Sequence, residues 1–522
     1  MHSTLNASLE ALANSPAAIS AANLQCGIEK EGLRITIDGR LAQTSHPDKL
    51  GASLTHPSIT TDYAESLLEL ITPVAATPMQ ALNMLQSLHS YTAMQLQQQP
   101  IPEQIWPASM PGYLQGEDEI IIAHYGDSHI GHLKHIYRKG LTLRYGKIMQ
   151  TIAGIHYNFS IDKAFWPHFQ RIRGAKGDPN EFRSACYFDL IRNFRRHSWL
   201  LTYLFGACSA LDPSFTEQRP TYLESDNCNS LIGPKATSLR MSELGYSNKI
   251  QASLNICFND LNSYCKSLLH AINTPYSKYE KLGIKVDGKY CQLNGNILQV
   301  ENEFYSDIRP KRVIRSGQKP VHALLAAGVE YVEVRSLDIN PFLPIGIDLQ
   351  QCDFLNCFLL WCLLSPSPVI DDELSQQIIA NQDLVVQSGR QPDVKLQYQG
   401  KSILLQQAAN NILSELRQII PIMNRSKAVL TAIDAMIERI KQPDLTPSAQ
   451  ILAQMQAHQL SYSQLMQKLA QQQHEHHLRQ PMDHATKVDL ENQCHKSIEQ
   501  RKALEANQQN SFDDYLSDYL TQ

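Results

Sequence analysis

Acids, a histidine and arginines recur at alternate positions inside short apolar segments, where burying a charge is costly unless it is paired or bound to metal. In Gly27-Ile28-Glu29-Lys30-Glu31-Gly32-Leu33-Arg34-Ile35, a strand would point Glu29 and Glu31 the same way, about 6.5–7 Å apart. Two carboxylates that close repel, and a divalent cation between or beside them removes the cost. The plainer alternative is a solvated edge strand with incidental acids. In Thr60-Thr61-Asp62-Tyr63-Ala64-Glu65-Ser66-Leu67-Leu68-Glu69, Glu65 and Glu69 are expected on one face. Asp62 joins them on a helix, or sits in the entry loop if a strand begins near Ala64. The alternative here is an exposed acidic helix face.

A third segment, Thr151 to Ser160, places Ala153, Ile155, Tyr157 and Phe159 on an apolar face and His156, Asn158 and Ser160 on the other. Gly154 leaves room for a ligand or a neighbouring backbone. In a fourth, Val329 to Asp338, Tyr331, Glu333 and Arg335 share a face backed by Val332 and Val334. Ser238-Leu239-Arg240-Met241-Ser242 alternates in the same way, and Glu301-Asn302-Glu303-Phe304-Tyr305 leads into the basic run Arg309-Pro310-Lys311-Arg312. That run reads either as surface charge or as phosphate contact. Such oxygen-rich sets suit Mg²⁺ or Mn²⁺ better than zinc. If the segments are neighbours, metal-assisted phosphoryl transfer is the chemistry they could support, with a divalent-metal hydrolase as the alternative.

Other chemistries are missing their motifs. Gly27-x4-Gly32 mimics a P-loop, but Leu33-Arg34 follows instead of Lys-Ser/Thr, and no GxGxxG, HExxH or GxSxG occurs. The eleven cysteines include no CxxC pair, so they read as reduced thiols of a cytoplasmic protein, dispensable for the chemical step. With 46 Lys+Arg against 51 Asp+Glu, the net charge of −5 argues against nucleic acid as the main partner. No signal peptide is evident, and the longest apolar stretch, Phe354 to Leu364, falls far short of the roughly 20 residues of a spanning helix. It reads as a buried core helix, and no membrane partner is expected.

The elements that must position these residues divide the chain in two. Residues 1–25 look helical. Short strands then alternate with helices and turns in an α/β core that extends to residue 370. From 371 to 522, strand signals fade and a helical region takes over, with Thr446-Pro447 as a helix start. Its end, from Gln471, is glutamine-rich, polar and expected to fray. The tract His474-Glu475-His476-His477 is given no catalytic role.

These motifs resemble a known family. Gly27-Ile28-Glu29-x-Glu31-x-Leu33-Arg34, Ile59-Thr60-Thr61-Asp62 with Glu69, and Gly154-Ile155-His156-Tyr157-Asn158-Phe159-Ser160 are similar to the bacterial glutamate–cysteine ligases. So are Ala236-Thr237-Ser238-Leu239-Arg240, Leu244-Gly245-Tyr246, Ile308-Arg309-Pro310-Lys311-Arg312, and the stretch from Tyr331 to Pro341. The resemblance runs from about residue 24 to 350 and weakens beyond. It implies an α+β, glutamine-synthetase-like fold, in which a curved, mainly antiparallel sheet forms a funnel with helices outside. It implies three small-molecule substrates, L-glutamate, L-cysteine and ATP, with Mg²⁺ or Mn²⁺ as cofactor, and a monomer is compatible with it.

By the same resemblance, Glu29, Glu31, Asp62, Glu69, His156 and Glu333 match metal positions. Arg240, Arg335 and Glu333 match catalytic ones, and both arginines lie near substrate carboxylate and phosphoryl groups. Tyr137, Arg138, Asn158, Tyr246 and Tyr305 match substrate contacts, with the tyrosines and Arg138 on the cysteine side and Leu141 and Ile152 shaping its side-chain pocket. Tyr63 stands where the family leads one to expect phenylalanine. Arg195-Arg196 has no matched role.

Overall fold

The computed structural model describes residues 5–13, 15, 23–216, 221–245, 254–314 and 317–521. A seven-stranded sheet organises it: β1 (Leu24–Thr36), β2 (Ile59–Thr61), β3 (Leu67–Ile71), β4 (Glu103–Ile105), β5 (Ile155–Ile161), β6 (Ile308–Lys311) and β7 (Tyr331–Leu337). The order is β6-β7-β5-β1-β3-β2, with β4 on the end of β1, and every pairing is antiparallel. Because side chains alternate along each strand, the register decides which of them meet. Glu29 lies opposite His156, Glu31 opposite Glu69, and Asn158 opposite Gly27 and Glu333. Arg309 lies opposite Glu333.

The other face of the sheet is core. Ile28, Tyr157, Phe159, Val332, Val334 and Leu70 are buried there, behind the helix Leu349–Leu364, in which every residue from Gln351 onward is buried. Asp348 caps that helix by accepting from Gln351 N at 2.8 Å, and the expected core helix is thereby present. Asn356, the one amide in its apolar stretch, accepts from the Tyr157 hydroxyl at 2.8 Å, so its polarity is satisfied inside the core. Each buried Leu or Phe contributes about 1.5–3 kcal/mol of transfer free energy. The helices Pro179–His197, Leu405–Ile419 and Ser426–Lys441 pack around this one.

Several local expectations need correction. Glu65 and Glu69 do not share a face, because a turn closed by Asp62 N to Leu67 O and Leu67 N to Ala64 O, each 2.9 Å, separates β2 from β3. Ser238 to Ser242 is no strand. Residues Leu239–Met241 form a single tight turn, closed by Ser242, whose hydroxyl donates to Leu239 O at 2.6 Å. Thr446 precedes the helix Pro447–His458 as expected, but its hydroxyl donates to Pro443 O at 2.6 Å instead of capping the helix. The glutamine-rich end is ordered helix: Tyr462–Arg479, His484–Ala506 and Phe512–Thr521. The first begins in a capping box of Ser461 and Gln464. No helix among the described residues is long and apolar enough to cross a membrane.

Candidate active site

The polar face of the sheet collects the acids around His156. Its Nδ1 lies 3.3 Å from Glu29 Oε2 and its Nε2 3.6 Å from Glu31 Oε1. Two triads result, Glu29–His156–Glu333 and Glu31–Glu69–His156, each with ligand atoms within 4.8 Å of one another. Glu29 Oε1 accepts from Asn158 Nδ2 at 2.8 Å, and Glu31 Oε2 accepts from Gly154 N at 2.6 Å. Glu333 is 1% exposed and accepts from Lys311 Nζ and Arg335 Nη1, each at 3.0 Å. Asp62 belongs to neither triad. It lies in the β2–β3 turn, close enough to Glu31 and Glu69 to raise both, while its carbonyl accepts from the Tyr125 hydroxyl at 2.7 Å.

The electrostatics divide the acids. Burial would raise Glu333, but Lys311 and Arg335 outweigh it and hold the carboxyl well below its usual range. Glu29 is also lowered: burial and Glu333 push it up, and the hydrogen bond with His156 and the charge of Lys311 prevail. Glu31 is raised by burial and Asp62, and Glu69 lies well above its usual value through burial, Glu29 and Asp62. Buried acids that disfavour one another's ionisation are what a divalent cation would relieve. Asn158 Oδ1, buried and with no hydrogen-bond partner among the described residues, is a further acceptor in want of a donor or cation. The donor set is carboxylate oxygen with one imidazole, which fits Mg²⁺ or Mn²⁺.

Arg240 enters this face from the Leu239–Met241 turn, 2% exposed. Its Nη2 donates to Arg335 O at 2.9 Å and its Nη1 lies 3.8 Å from Asp338 Oδ1. The space at Gly154 belongs to this guanidinium, since a Cβ there would sit 2.1 Å from Arg240 Nη2. A small pocket of about 100 Å³ is lined by His156, Arg240, Tyr305, Asp307 and Arg335, with Met241 and Ser306. Of the basic run, Lys311 faces the acids. Arg309, which is buried, donates to Phe304 O and Asn302 O, and Arg312, partly exposed, to Ala327 O at 2.8 Å, so both guanidinia are tied to backbone carbonyls.

A cluster of acids, one histidine and arginines is shared by several enzyme classes, and comparison with known proteins separates them. The family model described as glutamate–cysteine ligase matches residues 9–385. The chain belongs to the glutamate–cysteine ligase family. It is 46% identical over 500 residues to the glutamate–cysteine ligase of Pseudomonas fluorescens Pf-5, covering 95% of this chain and 93% of that one. The enzyme of Pseudomonas aeruginosa PAO1 is 46% identical over 509 residues, 96% of each chain. Among solved structures, the glutamate–cysteine ligase of Francisella tularensis in complex with AMP matches with a TM-score of 0.90 at 35% identity, over 96% of this chain and 98% of that one. A bifunctional glutathione synthetase from Pasteurella multocida matches with a TM-score of 0.72 at 26% identity, over 90% of this chain and 54% of that one.

In this ligase the segments expected on the cysteine side converge near the same face. Tyr137 and Arg138 lie on the helix His129–Tyr145, which Gly146 ends at a φ of 79°. Arg138 Nε donates to Asp62 O, and the guanidinium stacks 4.6 Å from the Tyr125 ring. Burial and Glu303 raise the Tyr137 phenol well above its usual value. The Tyr305 hydroxyl lies 3.1 Å from Gln150 Nε2, and its phenol is also raised, first by burial. Leu141 and Ile152 are buried. Tyr246 lies outside the described residues. The extra hydroxyl of Tyr63 meets Thr142 Oγ1 at 2.6 Å, tying the Asp62 turn to the same helix.

Three residues near the site were not assigned from sequence. Asp338, within the quoted Tyr331–Pro341 motif, anchors the Arg240 turn by accepting from Ser238 Oγ at 2.9 Å and from Ala207 N at 2.8 Å. Gln150 had no sequence signal. Asp307 lines the small pocket and lies 3.9 Å from Arg195 Nε, which gives half of the Arg195-Arg196 pair a neighbour. Arg196 instead donates to Asn193 Oδ1 at 3.1 Å. The cysteines among the described residues are free thiols. Burial holds Cys26 up at about 11, which leaves it protonated.

Proposed function

We propose that this chain joins the γ-carboxylate of L-glutamate to the amine of L-cysteine, converting ATP to ADP and phosphate, on the polar face of the sheet. The observation that carries the reading is the pair of carboxylate triads sharing His156, with Arg335, Arg240 and Lys311 beside them. An unactivated carboxylate does not acylate an amine at useful rates, so a γ-carboxylate oxygen must first take the γ-phosphoryl group of ATP, releasing ADP. The cysteine amine then attacks the acyl carbon, phosphate leaves with the C–O electron pair, and the amine loses a proton. The product, γ-glutamylcysteine, is the dipeptide of the first step of glutathione synthesis.

Glu29, Glu31, Glu69, Glu333 and His156 would hold Mg²⁺ or Mn²⁺, with Asp62 adding charge from the turn. Divalent cations bound there would supply neutralisation of the phosphate oxygens as charge moves onto the leaving group. Arg335 and Arg240 add fixed positive charge where the phosphoryl group transfers, and Arg240, being buried, acts in a medium that strengthens the interaction. Glu333 fixes Arg335 by its 3.0 Å hydrogen bond and so sets where that charge is presented. Asn158 orients Glu29. Arg138, Tyr137 and Tyr305 receive the cysteine, and the Tyr305 hydroxyl, already poised by Gln150, is the donor for its carboxylate. ADP release that requires glutamate, a divalent cation and an amine acceptor together tests the reading. ADP release that proceeds equally without an acceptor or without cation refutes it.

A further inference from the structure

The helix Phe512–Thr521 closes a small second core. Leu516, 4% exposed, packs there with Leu133 and Ile136 of the helix His129–Tyr145 and with Leu293 and Val300 of the segment that leads to Tyr305. Tyr137 packs against this cluster and against the main core as well. Polar contacts pin the helix at both ends. Asp513 accepts from Lys285 Nζ at 2.9 Å and from the Tyr290 hydroxyl at 2.7 Å. At the other end, Lys319 Nζ donates to Leu520 O at 3.1 Å. The chain just before it is tied to the start of helix His129–Tyr145, where His129 N donates to Gln508 Oε1 at 2.7 Å.

The two segments joined in this way carry different halves of the proposed acceptor site. One holds Tyr137 and Arg138. The other runs through Glu303 to Tyr305, and it already interlocks with the first: Arg144 Nη1 and the Tyr145 hydroxyl donate to Glu303 Oε1 at 2.9 and 2.7 Å. Phe512–Thr521 is a third body, packed against both along the Leu133–Leu293 side. The seating of this helix therefore bears on how the two segments sit against one another. The acids of β1, β3 and β7 are fixed independently, by sheet register.

We propose that the C-terminal helix is a positioning element for the cysteine acceptor, with Leu516 as its positioning residue. It sets the spacing between Tyr137 and Arg138 on the helix His129–Tyr145 and Tyr305, without acting on the cation side of the sheet. This rests on the acceptor reading above. Arg138 and Tyr305 are read as holding the bound cysteine rather than acting on its reacting amine, so a loosened acceptor pocket loses binding and is expected to show in the KM for cysteine with turnover retained.

The test is steady-state kinetics of the full chain carrying Leu516→Asp, Leu516→Ala or Leu516→Ile, with Arg138→Lys run beside them. The expected result for the Asp and Ala variants is a KM for cysteine raised roughly tenfold or more, the effect of one weakened contact to its charged carboxylate. The turnover at saturating cysteine and the KM values for ATP and glutamate should stay within about twofold. The Ile variant should restore the cysteine constant. The Ala variant is read alone if the Asp variant does not fold. An unchanged cysteine constant, or an equal deterioration for all three substrates, overturns the proposal. Arg138→Lys separates the two ideas. If it raises the cysteine constant while the Leu516 variants do not, the positioning role is wrong and the acceptor reading stands. If the Leu516 variants raise it while Arg138→Lys leaves it unchanged, the positioning role stands and Arg138 was misassigned.

Discussion

Glu333→Gln keeps the shape of a side chain that is 1% exposed and removes its charge. In the native protein that charge accepts from Lys311 Nζ and Arg335 Nη1, each at 3.0 Å. A hydrogen bond to a charged partner contributes about 1.5–3 kcal/mol and a neutral one about 0.5–1.5. Lys311 meets Oε1 and Arg335 meets Oε2, and glutamine keeps one acceptor oxygen. One bond therefore survives weakened while the other becomes an amide N–H against a cationic donor, a combined loss of roughly 2–4 kcal/mol of folding stability. The Lys311 and Arg335 side chains are 31% and 22% exposed, so water takes up part of the charge left behind and holds the loss to that range. The catalytic loss has a separate origin, since one of the anionic donors proposed for the cation is gone and Arg335 is no longer aimed. Contacts of that kind contribute roughly 2.7–4 kcal/mol to a transition state, a factor of about 10² to 10³ in kcat. The assay is ADP release with saturating glutamate and cysteine across a Mg²⁺ titration, beside a thermal melt. A lower melting temperature and a kcat reduced by two to three orders of magnitude at every Mg²⁺ concentration are expected. Glu29→Gln, whose partners are Asn158 and His156, should lose activity with a smaller change in stability. Wild-type kcat at matched Mg²⁺ in a folded Glu333→Gln protein would refute the reasoning.

The remaining predictions address other layers of the same structure. Gly154→Ala places a Cβ where Arg240 Nη2 now lies, 2.1 Å away, so kcat/KM should fall about a hundredfold with the fold intact, and near-normal activity would mean that the Arg240 position is unimportant. Tyr305→Phe removes a hydroxyl proposed to meet the cysteine carboxylate, about 1.5–3 kcal/mol; the cysteine KM should rise ten- to a hundredfold, and an effect confined to ATP would place the acceptor on the wrong side. Burial holds His46, His197 and His477 down at about 3 from an ordinary 6.5. The unfolded chain therefore binds protons below pH 6.5 that the folded one refuses, and stability falls as pH drops from 6.5 towards 3. At pH 5.5 each histidine costs about 1.4 kcal/mol, roughly 4 in all; urea midpoints that match at pH 7.5 and 5.5 would contradict this.

Local alternation was enough to read half of the site. A strand must point Glu29 and Glu31 one way and Ile28 the other, and it must do the same for His156 and Asn158 against Tyr157 and Phe159. Those residues lie as the spacing required. What alternation cannot supply is register. Glu333 faces Asn158 across 175 residues of chain only because β7 pairs with β5, and a slip of one residue would have turned Glu333 into the core. The family resemblance carried that part of the reading. Glu65 failed for a different reason: its spacing from Glu69 suits both periodicities, and a turn between them obeys neither. Gly154 was legible as open space, but its occupant comes from a turn more than eighty residues away.

The glutamine-rich end shows how composition can hide a pattern. In the helix Tyr462–Arg479 the buried positions are Tyr462, Leu465, Met466, Ala470, His474 and His477. Their spacings of 3, 1, 4, 4 and 3 residues form one helical stripe. Two histidines complete a stripe that four apolar residues begin, so a count of polar residues sees a frayed tail. The stripe works because His477 is kept neutral by burial. Its ring stacks on His89 with centroids 4.8 Å apart, while its nitrogens meet Gln86 Nε2 at 2.9 Å and Pro344 O at 3.0 Å. A neutral imidazole with both nitrogens satisfied packs as an apolar ring would. The same residue charged would be an unpaired cation in the core, so His474 and His477 of this tract serve packing at neutral pH while Glu475 stays exposed, and His477 becomes a weak point in acid.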